Sequence, residues 1–349
     1  MTDRPVGFGR RPTDEAPGDG GAPVVLDDEA VAALLPERPK RGHKGDFGKV
    51  LAIAGSLDYA GAALLVCRGA GRAGAGLVTL AVPESLQPLF AAKVVEATTM
   101  ALPEDDLEEV EPEDALARVL DHEHDAVVLG PGLRPGLATT ELVRSLLAAS
   151  ADTGPAPIVL DAEALRSLAS IDAWWDGVER PAVLTPHAGE FARLRAAGGV
   201  DSSGDRDLVE DDEARALAAA DAATTWQQVV VLKGARTVVA APDGRLAVAP
   251  FENPALASGG TGDVLAGMIG AMLAQGLEPF DAACVGVYLH GQAAEWVSER
   301  MGDAGLLASD LPDAIPTVRR RLAALGERRR AGSKVGFRSR GSGPDGAAS

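Results

Sequence analysis

The stretch VLAIAGSLDYAGAALLVCRGAGRAGAGLVTLAV, residues 50–82, contains the pattern that decides the fold. A short apolar run ends at Gly55, a helical pattern with small residues follows, and a second apolar run begins at Leu77. Apolar runs without polar alternation are typical of strands that are buried on both faces, as in a parallel sheet covered by helices. This stretch therefore predicts a strand–helix–strand unit of an α/β protein.

The same alternation continues along most of the chain. Further apolar runs lie at 126–130, 157–161, 182–186 and 229–234, with helical patterns at 85–95, 139–150 and 211–226. The segment TVVAAPDGRLAVAP (237–250) indicates a β-hairpin that turns at its PDG residues, and helical patterns dominate from there to residue 325. We expect one α/β domain, with a doubly wound, mostly parallel sheet and helices on both faces.

Composition shifts set the expected limits of this domain. Residues 1–24 are rich in Pro, Gly and Asp and are expected to be a flexible N-terminal segment, and the segment 24–39 predicts a short helix. The domain itself is expected to span 25–325. Residues 326–349 are rich in Gly, Ser and Arg and are expected to form a disordered basic tail.

The charge balance excludes several classes of partner. The formal net charge is −18, the chain of 349 residues has only six lysines, and its C-terminal end is basic, so the domain is strongly acidic. Such a surface repels nucleic acid and suits a halophilic cytoplasm. The sequence shows no apolar run long enough to cross a membrane and no signal peptide, so we expect a cytoplasmic protein that does not bind membranes. Cys67 and Cys284 lie in apolar helical patterns and are expected to be buried thiols.

Unusual residues collect where the predicted strands end. In open α/β sheets, ligands bind beyond the carboxyl ends of the strands. At these ends the sequence has Gly55 and Ser56, the segment GPGLRPG (130–136), Asp161, the segment HAGE (187–190), and Lys233 with Gly234. These residues predict a ligand site at this edge of the sheet.

The segment NPALASGGTGDVLAGMIGAM, residues 253–272, allows two interpretations. In the first it is a helix N-terminus, capped by Ser258 or Thr261, where Asp263 complements the helix dipole. In the second, Gly260 and Gly262 form an anion hole in which backbone N–H groups approach a phosphate. A carboxylate in an anion hole repels the ligand unless it has a chemical role, so the second interpretation makes Asp263 a reactive group.

Three other residues have similar alternatives. Gly132 belongs either to an ordinary turn or to a phosphate site. His187 is either a satisfied polar residue at a helix start or a ligand contact, because it follows a predicted buried strand. Lys233 ends a predicted central strand and is the only lysine between Lys93 and Lys334. We therefore interpret Lys233 as a point charge that holds a phosphate rather than as an ordinary solvated lysine.

Taken in order, seven motifs resemble those of the ribokinase-like NAD(P)H-hydrate dehydratases over roughly residues 25–325. They are KGDFGKVLAIAGS, GAALLVCRGAGRAGAGLVTLAVPES, VVLGPGL, VLDAEAL, LTPHAGEFARL, VVVLKGARTVV and NPALASGGTGDVLAGMIGAMLAQG. The resemblance implies a ribokinase-like fold and a lyase that repairs the S form of hydrated NADH or NADPH. It also implies ADP or ATP as phosphoryl donor and Mg²⁺ as cofactor.

Carried over position by position, the resemblance assigns roles to individual residues. It implies that Ala62, Gly132, His187 and Asp263 contact the hydrated dinucleotide. It implies that Lys233, Gly234, Ala235, Arg236, Thr237 and Gly262 hold the adenine nucleotide. Asp263 would then be the catalytic base that accepts the proton of the C6 hydroxyl as this oxygen attacks the terminal phosphoryl group. The metal ligands, the preference between ADP and ATP, and that between NADH and NADPH hydrates stay open.

Some features depart from the family pattern or leave alternatives. Arg134 follows GPGL where many relatives have Gly, and Ala188 stands where TPHPGE is more usual. Many relatives also carry an N-terminal epimerase domain, for which 1–24 is too short, so no epimerase activity is expected. A small-molecule kinase of the hydroxyethylthiazole or hydroxymethylpyrimidine type remains the alternative function, and a nucleotide-binding regulator without turnover is a third. We expect a homo-oligomer, either a dimer or a tetramer.

Overall fold

The computed structural model describes residues 23–149, 156–178, 180–198 and 208–336. Its described strands form one sheet in the order β1-β10-β9-β8-β7-β6-β5-β2-β3-β4. All neighbouring pairs are parallel except β10–β9 and β9–β8, which are antiparallel. The strands are β1 (Val24–Val25), β2 (Lys49–Ile53), β3 (Leu77–Pro83), β4 (Thr98–Leu102), β5 (Ala126–Leu129), β6 (Ile158–Leu160), β7 (Ala182–Leu184), β8 (Val229–Leu232), β9 (Val238–Ala240) and β10 (Leu246–Val248).

Helices cover both faces of this sheet. They are α1 (Asp28–Leu34), α2 (Ala60–Ala73), α3 (Gln87–Ala91), α4 (Pro112–Asp121), α5 (Leu137–Ala148), α6 (Glu163–Leu168), α7 (Ala188–Ala197), α8 (Asp212–Trp226), α9 (Thr261–Ala274), α10 (Pro279–Met301) and α11 (Leu311–Gly336). Successive side chains of β2 point to opposite faces, so Val50 and Ala52 join one hydrophobic core and Leu51 and Ile53 the other. Helices α1, α2, α9, α10 and α11 pack on the first core, and α4–α8 on the second.

The structure confirms the predicted fold class and most of the predicted elements. The six apolar runs are strands, and the PDG segment turns between β9 and β10, which pair as a hairpin. Both cysteines are buried thiols. In the described part of the chain, no helix has the length and apolar character needed to cross a membrane.

The structure differs from the expectations at both ends of the domain. Val24 and Val25 form an edge strand that pairs with β10, and the helix predicted over 24–39 is limited to Asp28–Leu34. At the other end, α11 continues to Gly336, beyond the expected boundary at residue 325. Basic residues of this extension pair with acidic residues near α1, since Arg329 lies 3.1 Å from Glu29 and Arg330 3.2 Å from Glu37. The expected flexible segment up to residue 22 and the tail from residue 337 lie outside the described residues.

Helix α9 is fixed to α2 by close backbone approach. A Cβ atom at Gly69 would lie 2.5 Å from the Val264 carbonyl oxygen, and one at Gly267 would overlap the Val66 carbonyl oxygen. Only glycine leaves enough room at these two positions. The contact places the N-terminus of α9, with its glycine-rich loop, beside the N-terminal half of α2.

Because of this contact, we expect that a methyl group added at Gly267 destabilises the protein. Gly267→Ala should lower the free energy of unfolding by about 1–3 kcal/mol, because the Val66 backbone cannot move away without shifting α2. Gly71→Ala is the matched control. Gly71 is also a helical glycine, in α2, but a Cβ there meets no atom within 4 Å. It should be neutral or stabilise by up to about 1 kcal/mol. Urea unfolding of both variants measures this, and equal stabilities of the two would contradict the packing explanation.

Candidate active site

The predicted site residues follow four neighbouring strands at the same edge of the sheet. Gly130 and Gly132 follow β5, Asp161 follows β6, His187 follows β7, and Lys233 follows β8. The pairing of β7 and β8 continues past their ends, because the Lys233 N–H donates to the Pro186 carbonyl at 2.8 Å. His187 and Lys233 therefore lie side by side, as an isolated parallel bridge.

One ammonium group and three carboxylates meet at this edge, and we call Lys233, Asp161, Glu190 and Asp263 the lysine–carboxylate cluster. Lys233 Nζ donates to Asp161 Oδ1 at 2.8 Å and lies 3.8 Å from Glu190 Oε2. The Asp161 side chain is only 2% exposed, and that of Lys233 is 20% exposed. Gly262 borders the cluster, since a Cβ there would lie 3.3 Å from Lys233 Nζ.

Burial and the charges of neighbouring groups shift the pKa values of Asp263, Glu190 and Lys233. Burial, followed by the charge of Asp161, raises the pKa of Asp263 to about 7, although the Lys233 charge acts in the opposite direction. Burial also raises the pKa of Glu190, with a further contribution from Asp161. For Lys233, burial lowers the pKa, but the charges of Asp161, Glu190 and Asp263 outweigh it and the pKa is raised. The cluster thus holds a charged lysine beside a carboxyl group that exchanges its proton near neutral pH.

The loop before α9 has a defined geometry. Gly260 is the residue that caps α9 and has φ of 91°, a left-handed conformation that favours glycine. Thr261 Oγ1 donates to the carbonyls of Leu256 and Ser258 at 2.8 and 3.0 Å. Asp263 lies in the first turn of α9, where backbone N–H groups have no partner within the helix. The anion hole expected at Gly260 and Gly262 therefore has the backbone geometry of a helix N-terminus.

A buried histidine fixes this first turn from behind. His290 of α10 is 7% exposed, and its Nε2 lies 2.9 Å from the Thr261 carbonyl oxygen. Burial lowers the pKa of His290 to about 4, so the ring is neutral and its Nε2–H donates to this carbonyl. Sequence reasoning did not identify His290, because it lies in an apolar helix with no recognisable motif around it.

His187 begins α7 and has a clear structural role. Its Nδ1 accepts hydrogen bonds from the backbone N–H groups of Gly189 at 3.0 Å and Glu190 at 3.4 Å. The Glu190 carboxylate in turn accepts from the His187 N–H at 2.9 Å, which completes a capping box. The side chain of His187 is 57% exposed, and its Nε2 lies 3.6 Å from Glu190 Oε2. The capping role and a ligand contact are compatible, because they use different ring nitrogens.

The segment 233–237 forms a tight turn over a buried arginine. Thr237 Oγ1 donates to the Gly234 carbonyl at 3.0 Å, and Arg236 lies 3.3 Å from Asp212. Arg215 of α8 is 2% exposed, pairs with Asp212, and directs its guanidinium at Gly234. Arg215 is a second residue that sequence reasoning missed, since a lone arginine in an alanine-rich helix carries no signal.

The predicted substrate residues Ala62 and Gly132 lie together. A Cβ at Gly132 would approach the Ala62 Cβ at 2.8 Å and the Tyr59 carbonyl oxygen at 2.7 Å. One turn further along α2, Leu65 lies against Gly260, where a Cβ would be 2.6 Å from Leu65 Cδ1. Ala62 and Gly132 therefore border the glycine-rich loop on the side of α2, while Lys233 and Gly262 border it on the side of β8.

Two carboxylates of the cluster suit a magnesium ion. In the described part of the chain, no group of three or more His, Cys, Asp or Glu side chains is arranged to hold a metal by itself. Mg²⁺ usually binds through one or two carboxylates together with substrate phosphates. Asp161 and Glu190 supply two such hard oxygen ligands next to the same ammonium group. The donor set therefore fits an ion that arrives with a nucleotide.

Comparison with known proteins identifies close relatives. The family model of NAD(P)H-hydrate dehydratases matches residues 50–317. The bifunctional NAD(P)H-hydrate repair enzyme Nnr of Moorella thermoacetica is 42% identical over 290 residues, which are 82% of this chain and 52% of the relative. The ADP-dependent (S)-NAD(P)H-hydrate dehydratase of Bacillus subtilis is 38% identical over 295 residues, 84% of this chain and 97% of the relative. The chain spans about half the length of the bifunctional relatives it matches.

Solved structures agree with these sequence matches. The ADP/ATP-dependent NAD(P)H-hydrate dehydratase from B. subtilis, co-crystallised with ATP/Mg²⁺, superposes with a TM-score of 0.71 at 37% identity. The match covers 86% of this chain and 98% of that structure. A ribokinase-like superfamily protein from Enterococcus faecalis has a TM-score of 0.69 at 23% identity over 86% of this chain and 96% of its own, and shows the shared fold alone.

Removal of the Lys233 charge should lower the free energy of unfolding by an amount that depends on pH. Lys233→Met keeps a long side chain but leaves the carboxylates of Asp161, Glu190 and Asp263 without an opposite charge. The pKa values of Glu190 and Asp263, which are already raised in the folded protein, then rise further above those of the unfolded chain. Stability is lost as pH rises through this range, so the loss should be small at pH 5 and about 3 kcal/mol at pH 8.

Urea unfolding at pH 5 and pH 8 measures this difference. Lys93→Met is the matched control, because Lys93 is exposed and its removal should change stability little at either pH. A loss in Lys233→Met that is equal at both pH values would show that the lysine does not balance ionised carboxylates.

Proposed function

The chain belongs to the NAD(P)H-hydrate dehydratase family, of ribokinase-like fold, and from this membership we propose that it removes water from the S form of hydrated NADH and NADPH. ADP or ATP serves as phosphoryl donor. The observation that carries the proposal is the position of Asp263, a carboxylate with a pKa of about 7 inside a glycine-rich helix N-terminus. A site that only binds a nucleotide gains nothing from a negative charge at this place.

Asp263 is suited to act as a general base. A base works best when its pKa lies near the operating pH, because it is then ionised and still basic enough to take a proton. An ordinary exposed aspartate has a pKa near 3.9 and is a poor base. Burial and the neighbouring Asp161 supply the upward shift that the chemistry needs.

The proposed reaction uses this placement of Asp263. Asp263 takes the proton of the C6 hydroxyl as this oxygen attacks the terminal phosphoryl group, and the donor leaves as AMP from ADP or as ADP from ATP. Hydroxide is a poor leaving group, whereas phosphate is a good one. The ring nitrogen lone pair then expels phosphate from C6, and loss of the C5 proton to solvent restores the C5=C6 double bond.

Backbone groups stabilise the transferred phosphoryl group. The N–H groups of Gly260 and Gly262 lie at the N-terminus of α9, where the helix dipole favours negative charge. We assign the nucleotide to Gly262 and to the turn that contains Lys233, Gly234, Ala235, Arg236 and Thr237. The support is that Gly262 borders Lys233 and that a tight turn exposes the backbone next to it.

The hydrated dinucleotide takes the other side of the loop in this proposal. Ala62 and Gly132 lie close together there, and small residues leave room for a ring to approach Asp263. His187 contributes its imidazole ring, because the side chain is 57% exposed even though its Nδ1 caps α7. The substrate thus lies between α2 and α7, with its C6 hydroxyl directed at Asp263.

We assign Mg²⁺ to Asp161 and Glu190, which flank the Lys233 ammonium. When bound, the ion neutralises charge on the nucleotide phosphates. Lys233 in this arrangement balances the carboxylates and also presents positive charge to the phosphates. The acidic composition supports a halophilic enzyme. The proposed substrates support a cytoplasmic one, since nicotinamide and adenine nucleotides are held inside cells.

The proposed function is tested by a balance of products. Purified protein is incubated with the S form of hydrated NADH, Mg²⁺ and either ADP or ATP, while NADH absorbance and inorganic phosphate are followed. We expect one phosphate for each NADH formed and no stable phosphorylated product. A phosphorylated small molecule that accumulates without NADH would favour the kinase alternative and contradict the proposal.

Asp263→Asn is the informative variant in this assay. Asparagine keeps the size of the side chain but takes no proton, so the rate should fall roughly 10²–10⁴-fold. Removal of a negative charge should leave nucleotide binding at least as tight as before. Asp281→Asn is the matched control, because Asp281 is also a half-buried aspartate in the first turn of a helix, with its pKa raised by burial. It should retain full activity, and wild-type turnover by Asp263→Asn would show that Asp263 is not the base.

A further inference from the structure

Apart from the candidate active site, a cavity with a volume of about 960 Å³ lies between the end of α1, the C-terminal end of α2 and the helix α11. Its charged lining consists of five arginines and two glutamates, which is unusual in a chain with 51 acidic and 33 basic residues. We call it the arginine cavity, after Arg38, Arg72, Arg319, Arg320 and Arg330.

Two of these arginines converge on the end of α2. Arg38 Nη1 donates to the Gly74 carbonyl at 2.6 Å, and Arg319 donates to the Ala73 carbonyl and, at 2.7 Å, to Gln275. Arg319 is only 8% exposed, and burial, with the nearby charge of Arg38, lowers its pKa to about 10. The guanidinium groups are therefore held close together in spite of their mutual repulsion.

The charge of the cavity is only partly neutralised. Arg72 pairs with Asp313 at 3.0 Å, and Arg330 pairs with Glu37 at 3.2 Å. Arg38, Arg319 and Arg320 form no ion pair with any carboxylate among the residues that the structure describes. Backbone carbonyls at the end of α2 offset part of this charge, but they carry only partial charges. Glu327 also lines the cavity and offsets one of these charges, so the three arginines still retain an excess of positive charge.

The cavity is separate from the candidate active site. Ala62 lies in the first turn of α2 and borders the active site, whereas Gly74 follows the last residue of the same helix. A helix of 14 residues spans roughly 20 Å. A small ligand in the arginine cavity therefore cannot contact Asp263 or Lys233.

We propose that the arginine cavity binds a small phosphorylated metabolite. Planar guanidinium groups donate pairs of parallel hydrogen bonds that match phosphate oxygens, and a phosphate dianion neutralises the excess charge better than a single carboxylate does. Apolar residues that include Leu35, Pro36 and Pro316 line the rest of the cavity and accommodate the uncharged part of the ligand. The volume lies within the range of small-molecule sites.

Calorimetric titration with inorganic pyrophosphate, at fixed KCl concentration and without Mg²⁺, tests this site. Arg320→Ala should weaken binding roughly tenfold, as expected for the loss of one charge-assisted hydrogen bond, and Arg320 is exposed, so the fold should tolerate the change. Arg38→Gln should weaken binding as well. Arg328→Ala is the matched control, because Arg328 is exposed on the same helix and does not line the cavity. Equal weakening in Arg320→Ala and Arg328→Ala would show only a general effect of charge and overturn the proposal.

Two further arms locate the site and define its ligand. Asp263→Asn should leave pyrophosphate binding at the arginine cavity unchanged. Tighter binding in Asp263→Asn, together with unchanged binding in Arg320→Ala, would place pyrophosphate in the active site and overturn the proposal. Citrate should bind more weakly than pyrophosphate under the same conditions, and equal or tighter citrate binding would overturn the assignment to phosphate.

Discussion

The ion pair between Lys233 and Asp161, with 2.8 Å between Nζ and Oδ1, is the interaction on which the candidate site depends. Burial of Asp161 without an opposite charge would be strongly unfavourable, and Lys233 satisfies it at the point where Glu190 and Asp263 also approach. Because one cation serves three carboxylates, the charge is not fully balanced. The remaining repulsion, added to burial, raises the pKa of Asp263 to about 7.

The fold supplies this arrangement through two constraints. Parallel pairing brings the ends of β6, β7 and β8 to one edge of the sheet, so residues distant in sequence become neighbours. The glycines at the contact between α2 and α9 let these helices approach, and His290 fixes the first turn of α9 through the Thr261 carbonyl. The carboxylate of Asp263 is thus positioned by packing contacts made by its own helix, α9.

Sequence patterns predicted the parts of this structure that depend on local residues. Apolar runs such as AVVL predicted buried strands, and the small residues of GGTGD predicted a helix N-terminus; the structure has both. The pairing of Lys233 with Asp161 was not predicted, because it joins residues 72 positions apart and depends on the order of strands. Strand β4 was missed since it lies at the edge of the sheet and begins with two threonines, so its sequence TTMAL is not a continuous apolar run. The length of α11 was underestimated because its basic end is stabilised by acidic residues near α1.

The pH dependence of kcat/KM for restoration of NADH from its hydrate tests the central claim most directly, because it reports the ionisation of groups in the free enzyme. The claim is that the lysine–carboxylate cluster makes Asp263 a base that works at neutral pH. The rate constant should rise with pH and reach half its maximum near pH 7, the pKa that burial and Asp161 give to Asp263. A profile that stays flat from pH 5.5 to 9 would mean that Asp263 keeps an ordinary pKa, and would contradict this account.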